Sequence, residues 1–241
     1  MPGNVGGAAR VGATVRRPTG PWTPAVHALL THLARRGVRH VPAVHGFDVR
    51  GREVLDYLPG EVVDVNRDLL SEPRLAWLGT WVRGFHEAVA DFPLGGTWRF
   101  FGVAEPTVVA HNDLAPYNLC FAGDELAGVF DWDLAGPSSP LMELAHTAWT
   151  AIPLFRPIAP ELAARRLRVL ADAYGGPSAR EILDAVPVRV QLAIDGIREA
   201  VRRGDTGMRN LAAHGEPERT EESLAGLVTR LPDIAAQLAG S

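Results

Sequence analysis

One segment of this chain constrains its fold and chemistry more than any other. Residues 108–136 read VVAHNDLAPYNLCFAGDELAGVFDWDLAG, in which polar side chains interrupt two short apolar runs with strand character. The polar residues are His111, Asp113 and Asn118 after the first run and Asp131 and Asp133 after the second. Loops at strand ends are where a scaffold usually holds reactive groups. We therefore expect this segment to form the functional site.

Phosphoryl transfer gives a chemical reason for these residue types in this order. The reaction needs a carboxylate to orient the acceptor hydroxyl and take its proton, and oxygen ligands to hold Mg²⁺ against the phosphates. Mg²⁺ prefers oxygen ligands and takes only one or two from protein carboxylates. Asp113, the amide oxygen of Asn118 and the carboxylate of Asp131 would supply these parts. Protein kinases use the same order of residues.

The same residues carry a resemblance to a known family. Residues 111–118 are similar to the H-G-D-x-x-x-x-N loop of aminoglycoside phosphotransferases and choline kinases. Residues 130–136 resemble the I-D-W-x-x-A-G segment of that family, and residues 140–145 resemble its P-x-x-D-L-A segment. Weaker matches are residues 57–60, which resemble the hinge between the lobes, and Phe85-His86, which resembles the end of the first large C-lobe helix.

The resemblance implies a role for each residue of the segment. Asp113 is expected to be the catalytic base, with Asn118 and Asp131 as metal ligands that also bind the nucleotide phosphates. His111 would brace the loop, and Asp133 would face the acceptor or a second metal ion. The implied cofactors are Mg²⁺ and ATP or GTP, and the implied partner is a small hydroxylated acceptor.

The predicted N-terminal lobe departs from the family pattern. The family usually has a strand lysine paired with a helix glutamate, but all 24 basic residues here are arginine. Arg16 is the first candidate for the lysine position, Arg17 is the second, and Tyr57 of the hinge is a further candidate for nucleotide contact. The predicted helix over 24–36 has no acidic residue, and His27 lies near the expected glutamate. The ion pair is therefore absent or rebuilt.

The pattern along the chain predicts an α+β, bilobal protein-kinase-like fold, with a reduced β-rich N-lobe and a mostly helical C-lobe. We place the N-lobe at 1–58 and the C-lobe at 59–241, because Leu58-Pro59-Gly60 interrupts the strand pattern. Before this boundary we expect a loop and β-hairpin over 3–17, a helix capped by Thr23, and strands over 43–49 and 52–57. After it we expect strands over 107–109 and 126–130 and helices starting near Ser71 and Ser139, then over 160–174, 179–203 with an interruption at Pro187, and 217–238.

The predicted helix over 179–203 carries the candidate acceptor residues. Asp195 and Glu199 lie four residues apart and share a face, whereas Arg198 and Arg202 share a neighbouring face. We expect the acidic face to line the cleft, which favours a cationic, hydroxylated acceptor such as an aminoglycoside or amino alcohol.

Two other functions are compatible with the sequence. One is a pseudokinase-like protein that binds nucleotide or ligand with little turnover, which the missing lysine and glutamate suggest. The other is a metal hydrolase built on His111, Asp113 and Asp131, although such sites generally carry more imidazole or carboxylate ligands than this segment offers.

The charge and cysteine content of the chain limit the classes of partner and the compartment that we expect. The net charge of −4 gives no sign of a nucleic-acid or anionic-membrane partner. Cys120, the single cysteine, cannot form an internal disulfide and is compatible with a reducing compartment. With no signal-peptide pattern in the first residues, we expect a cytoplasmic protein.

Overall fold

The computed structural model describes residues 7–100 and 102–240. The strands are β1 Ala9–Val11, β2 Thr14–Arg17, β3 Val44–Phe47, β4 Glu53–Asp56, β5 Val108–Ala110, β6 Leu119–Ala122, β7 Glu125–Val129 and β8 Gly136–Ser138. The helices are α1 Thr23–Arg35, α2 Glu72–Ala88, α3 Pro140–Ala151, α4 Pro160–Tyr174, α5 Ala179–Arg203, α6 Thr206–Ala213 and α7 Glu218–Ala239. Single 3₁₀ turns lie at Pro116–Asn118 and Trp132–Leu134.

The first four strands form one antiparallel sheet in the order β1-β2-β4-β3. Arg17 at the end of β2 lies directly opposite Glu53 at the start of β4. Helix α1 follows β2, and its residues Val26, Leu29, Leu30 and Leu33 are buried because they follow helical spacing on one face. This arrangement directs the carboxyl end of β2 and the start of β4 toward the later loops.

The segment that follows β4 packs closely on the second half of the molecule. Glu61 pairs with Phe121 in an isolated antiparallel bridge. A Cβ atom at Gly60 would lie 2.8 Å from the Cβ of Cys120, so a larger residue would displace the chain from β6. The Sγ of Cys120 lies 3.6 Å from the Leu58 carbonyl oxygen, and Cys120 is a buried packing residue. The connection between the two regions therefore lies directly against the hairpin of the functional segment.

Two small two-stranded sheets carry that segment, with β5 paired to β8 and β6 paired to β7. The loop between β5 and β6 and the turn between β7 and β8 lie side by side, because the Phe130 amide donates to the Asn118 carbonyl at 3.0 Å. Trp132 is fully buried against Phe85 and His111, which makes it a core residue.

Helices α2 to α7 form the rest of the fold. The Ser71 side chain caps α2, and Ser178 and Glu181 form a capping box at the start of α5. No helix among the described residues is both long enough and apolar enough to cross a membrane.

Several boundary predictions need correction. Helix α5 continues through Pro187, because buried Val186 and Val190 pack on either side of the proline. The N-cap of α1 is Trp22, and Thr23 is its first helical residue. Strands β6 and β8 and helix α6 were not predicted, because they are only three to eight residues long. Of the predicted loop and hairpin over 3–17, residues 3–6 lie outside the described residues.

Candidate active site

The loop from His111 to Asn118 is held to the neighbouring turn by His111. The side chain of His111 is fully buried and lies 4.6 Å from the Trp132 ring, centroid to centroid. Its Nδ1 accepts from the Asp113 amide at 3.3 Å, and its Nε2 lies 3.1 Å from the Phe130 carbonyl oxygen. These contacts define the neutral tautomer with the proton on Nε2. His111 therefore fixes the spacing between Asp113 and the turn that carries Asp131.

Asn112 allows the sharp turn that directs Asp113 into the cleft. Its φ is 63°, in the left-handed region that only glycine and asparagine adopt readily. The Asn112 amide group donates to the carbonyl oxygens of Leu134 and Gly136 at 3.2 and 3.1 Å. The family motif has glycine at this position. Asparagine meets the same backbone requirement and adds two links to the adjacent turn.

Glu143 of α3 holds the backbone turn at His111 and Asn112. Its buried carboxylate accepts from the backbone amides of His111 at 2.7 Å and Asn112 at 2.8 Å. Burial opposes ionisation, but hydrogen bonding and charge from His86, together with His111, hold the pKa of Glu143 below its usual value. His86 lies 3.7 Å from the carboxylate and 3.1 Å from the Tyr174 hydroxyl. Glu143 is therefore ionised and joins α2, α3 and the loop.

Asp113 lies in the cleft with its carboxylate oriented by three side chains. Tyr117 donates its hydroxyl to Oδ1 at 2.9 Å, and Nε2 of His146 lies 3.2 Å from the same oxygen. The Asn118 amide donates to Oδ2 at 2.8 Å. Burial works against the charge, but the donors, led by His146, lower the pKa of Asp113. Three donors leave one of the four lone-pair positions of the carboxylate, on Oδ2, for an incoming hydroxyl.

The pKa values of His146 and Tyr117, two neighbours of Asp113, are also shifted by burial and nearby charges. Burial and the guanidinium of Arg189 lower the pKa of His146, so that His146 is a neutral donor at pH 7. Burial and the Asp113 charge raise the pKa of Tyr117 well above its usual value, so its hydroxyl stays protonated. Both groups therefore donate to Asp113 over the whole neutral range.

Asp131 occupies a strained position at the end of β7. Its backbone is left-handed, with φ 60° and ψ 63°, which is uncommon for a residue other than glycine. Arg17 donates from Nη2 to Asp131 Oδ1 at 2.7 Å. Burial raises the pKa of Asp131, and so do the negative charges of Asp133 and Asp113. The positive charge of Arg17 opposes this rise but does not cancel it. Backbone strain of this kind clusters at ligand and active sites, which makes this turn a candidate for one.

Asp133 lies between two arginines. Its Oδ2 is 3.0 Å from Nη2 of Arg17 and 3.6 Å from Nη1 of Arg99. Arg99 also forms a two-point contact with Asp205, at 3.1 and 2.8 Å, and lies over the Trp22 ring. Asp133 is therefore linked both to the N-terminal sheet and to the helices at the C-terminal end.

The structure distinguishes the two arginines proposed for the lysine position. Arg17 contacts Asp131 and Asp133, whereas Arg16 donates to Thr14 and lies 4.0 Å from Asp48. Adjacent residues of a strand point to opposite faces, and Arg17 is the one that faces the cleft. The expected ion pair is rebuilt with Glu53, 3.5 Å from Arg17.

The remaining predicted residues are placed less centrally. Tyr57 lies at the end of the N-terminal sheet, where its ring is covered by the Arg10 guanidinium at 3.7 Å. Asp195 is exposed and accepts from Gln191, and Glu199 pairs with Arg202 and Arg203 on its own helix.

The charged side chain of α5 that reaches the catalytic loop is Arg189. It is buried and donates to the Asn112 carbonyl at 2.6 Å. The structure therefore does not bring Asp195 or Glu199 together with Asp113.

The oxygen donors fit a divalent cation. The Asn118 amide nitrogen is directed at Asp113, which leaves its carbonyl oxygen for another ligand, and the Asp131 side chain is 46% exposed and so accessible from the cleft. Within the described residues no three His, Cys, Asp or Glu side chains converge on one point as a metal site. Mg²⁺ typically takes one or two protein carboxylates and completes its octahedron with water and phosphate, so this donor set suits it.

Sequence analysis did not assign several residues of the site. Glu143 was not assigned a role in holding the loop and His146 was not assigned at all, although His146 directly follows the motif at residues 140–145. The importance of Glu53 follows from cross-strand pairing, which a single sequence does not display.

Comparison with known proteins shows the family of this chain. The model of the Phosphotransferase enzyme family matches residues 86–182. A trifolitoxin immunity protein of Rhizobium leguminosarum bv. trifolii is 35% identical over an alignment that covers 69% of this chain and 69% of the relative. The chain therefore belongs to the phosphotransferase enzyme family and is a small-molecule kinase.

Solved structures share the fold at low identity. A choline/ethanolamine kinase family protein from Mesorhizobium loti has a TM-score of 0.61 at 16% identity, covering 98% of this chain and 90% of that one. Amicoumacin kinase hAmiN, solved in complex with AMP-PNP, Ca²⁺ and Ami, has a TM-score of 0.63 at 12% identity, covering 91% of this chain and 81% of that one. A gentamicin complex of an aminoglycoside phosphotransferase has a TM-score of 0.58 at 14% identity, covering 95% and 88%. These likenesses confirm the predicted α+β, bilobal kinase-like fold.

Proposed function

We propose that this chain transfers the γ-phosphate of ATP or GTP to a hydroxyl of a small molecule, with Asp113 as the catalytic base. The observation that carries the proposal is the environment of Asp113: an ionised carboxylate, oriented by three donors, with one lone-pair position left in the cleft. A hydroxyl bound at that position would donate its proton to Oδ2 as its oxygen attacks the phosphorus.

The residues on the other side of the cleft would bind the nucleotide. Asp131 and the carbonyl oxygen of Asn118 would hold Mg²⁺, which supplies charge neutralisation to the phosphates when bound. Arg17 would contact the phosphates, since its fork suits phosphate oxygens as well as carboxylates. Residues 1–58 and 59–241 would act as the two lobes that enclose the nucleotide, with Tyr57 at the hinge.

The acceptor is the least constrained part of the proposal. Asp133 lies two residues after Asp131 in the same turn, and as an acidic residue it favours a hydroxylated amine such as an aminoglycoside or amino alcohol. The relative named for trifolitoxin immunity adds a second class of acceptor, a toxin that carries a hydroxyl, because phosphorylation of a toxin would change its charge by about two units. We expect a cytoplasmic location, where the nucleotide is available.

The alternative is a nucleotide- or ligand-binding protein with little turnover. It is favoured by one observation, the contact of Arg17 with Asp131, because a guanidinium there competes with a cation for the same carboxylate.

Asp113→Asn separates the two functions. The amide keeps the size of the side chain but cannot take a proton, so turnover should fall by about two to four orders of magnitude, the scale for loss of a positioned base. Binding of Mg-ATP, measured by calorimetry, should change little. Nucleotide hydrolysis and transfer are measured across a panel of amino sugars, amino alcohols and hydroxy acids, with the structurally remote Asp172→Ala as control. A wild type that binds Mg-ATP but transfers no phosphate would support the binding function. Turnover in Asp113→Asn equal to that of wild type would instead show that Asp113 is not the base.

A further inference from the structure

We propose that Glu53 is a positioning residue of the nucleotide site, acting through Arg17, and that His27 supports it from α1. This inference rests on the proposed function and adds to it a three-residue unit in place of the lysine–glutamate pair of the family. Its members come from three different elements: β2, β4 and α1.

Arg17 and Glu53 are placed together by the sheet itself. They are directly opposite each other in the antiparallel pair of β2 and β4, so their side chains project from the same face of the sheet. Nη1 of Arg17 lies 3.5 Å from Oε1 of Glu53. Glu53 is only 2% exposed, and a carboxylate that is so buried needs charged or hydrogen-bonding partners.

His27 occupies the second oxygen of Glu53. Its Nε2 lies 2.9 Å from Oε2, and both side chains are largely buried. Helix α1 has no acidic residue in its first turn, so His27 is the residue through which the helix contacts the charged unit. The order of side chains from helix to cleft is therefore histidine, glutamate, arginine.

The guanidinium of Arg17 is held at both ends. Nη2 is directed at Asp131, at 2.7 Å, and at Asp133, at 3.0 Å, whereas Nη1 is directed at Glu53. Without Glu53, nothing among these contacts would oppose the pull of the two aspartates, and the planar fork would be free to turn onto them. Glu53 therefore fixes the plane in which Arg17 presents its N–H groups to phosphate oxygens.

The test is a double-mutant cycle on nucleotide affinity. Binding of Mg-ATP and Mg-GTP is measured by calorimetry for wild type, Glu53→Gln, Arg17→Gln and the double variant. Each single variant should weaken binding about 10- to 150-fold, the scale for one charged hydrogen bond. The double variant should bind like Arg17→Gln alone, because Glu53 acts only through that residue.

Controls separate positioning from folding. Arg52→Gln removes the residue immediately before β4, which pairs with Asp48 just after β3, and should leave affinity unchanged. If Glu53→Gln does not fold, as judged by circular dichroism, His27→Gln is measured in its place and should weaken binding in wild-type Arg17 but not in Arg17→Gln.

Two results overturn the inference while leaving the proposed function intact. Both results require that the wild-type protein binds nucleotide. The first is a folded Glu53→Gln or His27→Gln variant that binds nucleotide as tightly as the wild-type protein does. The other is a double variant whose loss equals the product of the two single losses. A wild type that binds neither nucleotide and transfers no phosphate would instead refute the proposed function itself.

Discussion

The backbone turn at His111 and Asn112 depends on the buried carboxylate of Glu143. Replacing Glu143 gives the most quantitative prediction. Glu143 accepts from the backbone amides of His111 and Asn112 at 2.7 and 2.8 Å, and its side chain is fully buried. In Glu143→Ala both N–H groups lose their acceptor at a site that α3 shields from water. Each unsatisfied buried donor costs about 1–3 kcal/mol, so the free energy of unfolding should fall by about 2–6 kcal/mol.

Glu143→Gln should have a smaller effect. Its carbonyl oxygen keeps one acceptor, but its NH₂ group would meet the second backbone N–H, so one donor stays unsatisfied and about 1–3 kcal/mol is lost. Urea denaturation followed by circular dichroism measures both variants, and Asp172→Ala, an exposed acid on α4, serves as control. A loss below about 1 kcal/mol in Glu143→Ala would refute the claim that this carboxylate holds the turn.

The same carboxylate predicts a pH dependence. Its folded pKa is lowered, so its contribution is complete above the unfolded value of about 4.3 and is lost as pH falls through the lower folded value. The stability difference between wild type and Glu143→Gln should therefore be constant near neutral pH and shrink in acid. A difference that stays constant well below the unfolded value would contradict the assigned direction.

Three further predictions test other parts of the site. Asp131→Ala should abolish metal-dependent nucleotide binding, and Asn118→Ala should weaken it less, by calorimetry with Mg-ATP; unchanged affinity in the first would contradict the ligand assignment. Asn112→Ala should be about 1–2 kcal/mol less stable than Asn112→Gly in urea denaturation, because alanine disfavours the positive φ; equal stability would exclude backbone strain there. Asp133→Asn should raise the KM of an amine acceptor more than Asp195→Ala does, since Asp195 is exposed and hydrogen-bonded to Gln191. A larger rise in Asp195→Ala would show that the acidic face of α5 contacts the acceptor.

Features encoded over a few residues were predictable from the sequence. The caps at Ser71 and Ser178 follow from hydrogen bonds within three positions, and α4 and α5 have the predicted bounds. The family motifs likewise located Asp113 and Asp131, because the spacing of the functional groups lies within one short segment.

Features set by distant pairing were not predictable in the same way. Strand β8 exists because it pairs with β5, about thirty residues earlier, and has little strand character of its own. The choice between Arg16 and Arg17 depends on the register of β2 against β4, which fixes the face of each side chain. Helix α5 continues through Pro187 because tertiary packing outweighs the loss of about 3 kcal/mol that a proline causes within a helix.

The absence of lysine explains why the charged unit of the N-terminal sheet takes its observed form. A lysine ammonium is a compact charge that one carboxylate satisfies, whereas a guanidinium has two ends that bind in one plane. Arg17 uses one end for Glu53 and the other for Asp131 and Asp133, so the sheet and the functional turn are connected through a single side chain. A glutamate placed on α1 would approach from a different direction. His27 occupies the position on α1 where the family has glutamate, and it contacts Glu53. The carboxylate partner of Arg17 therefore lies on the adjacent strand β4, where the register of the sheet fixes its distance from Arg17.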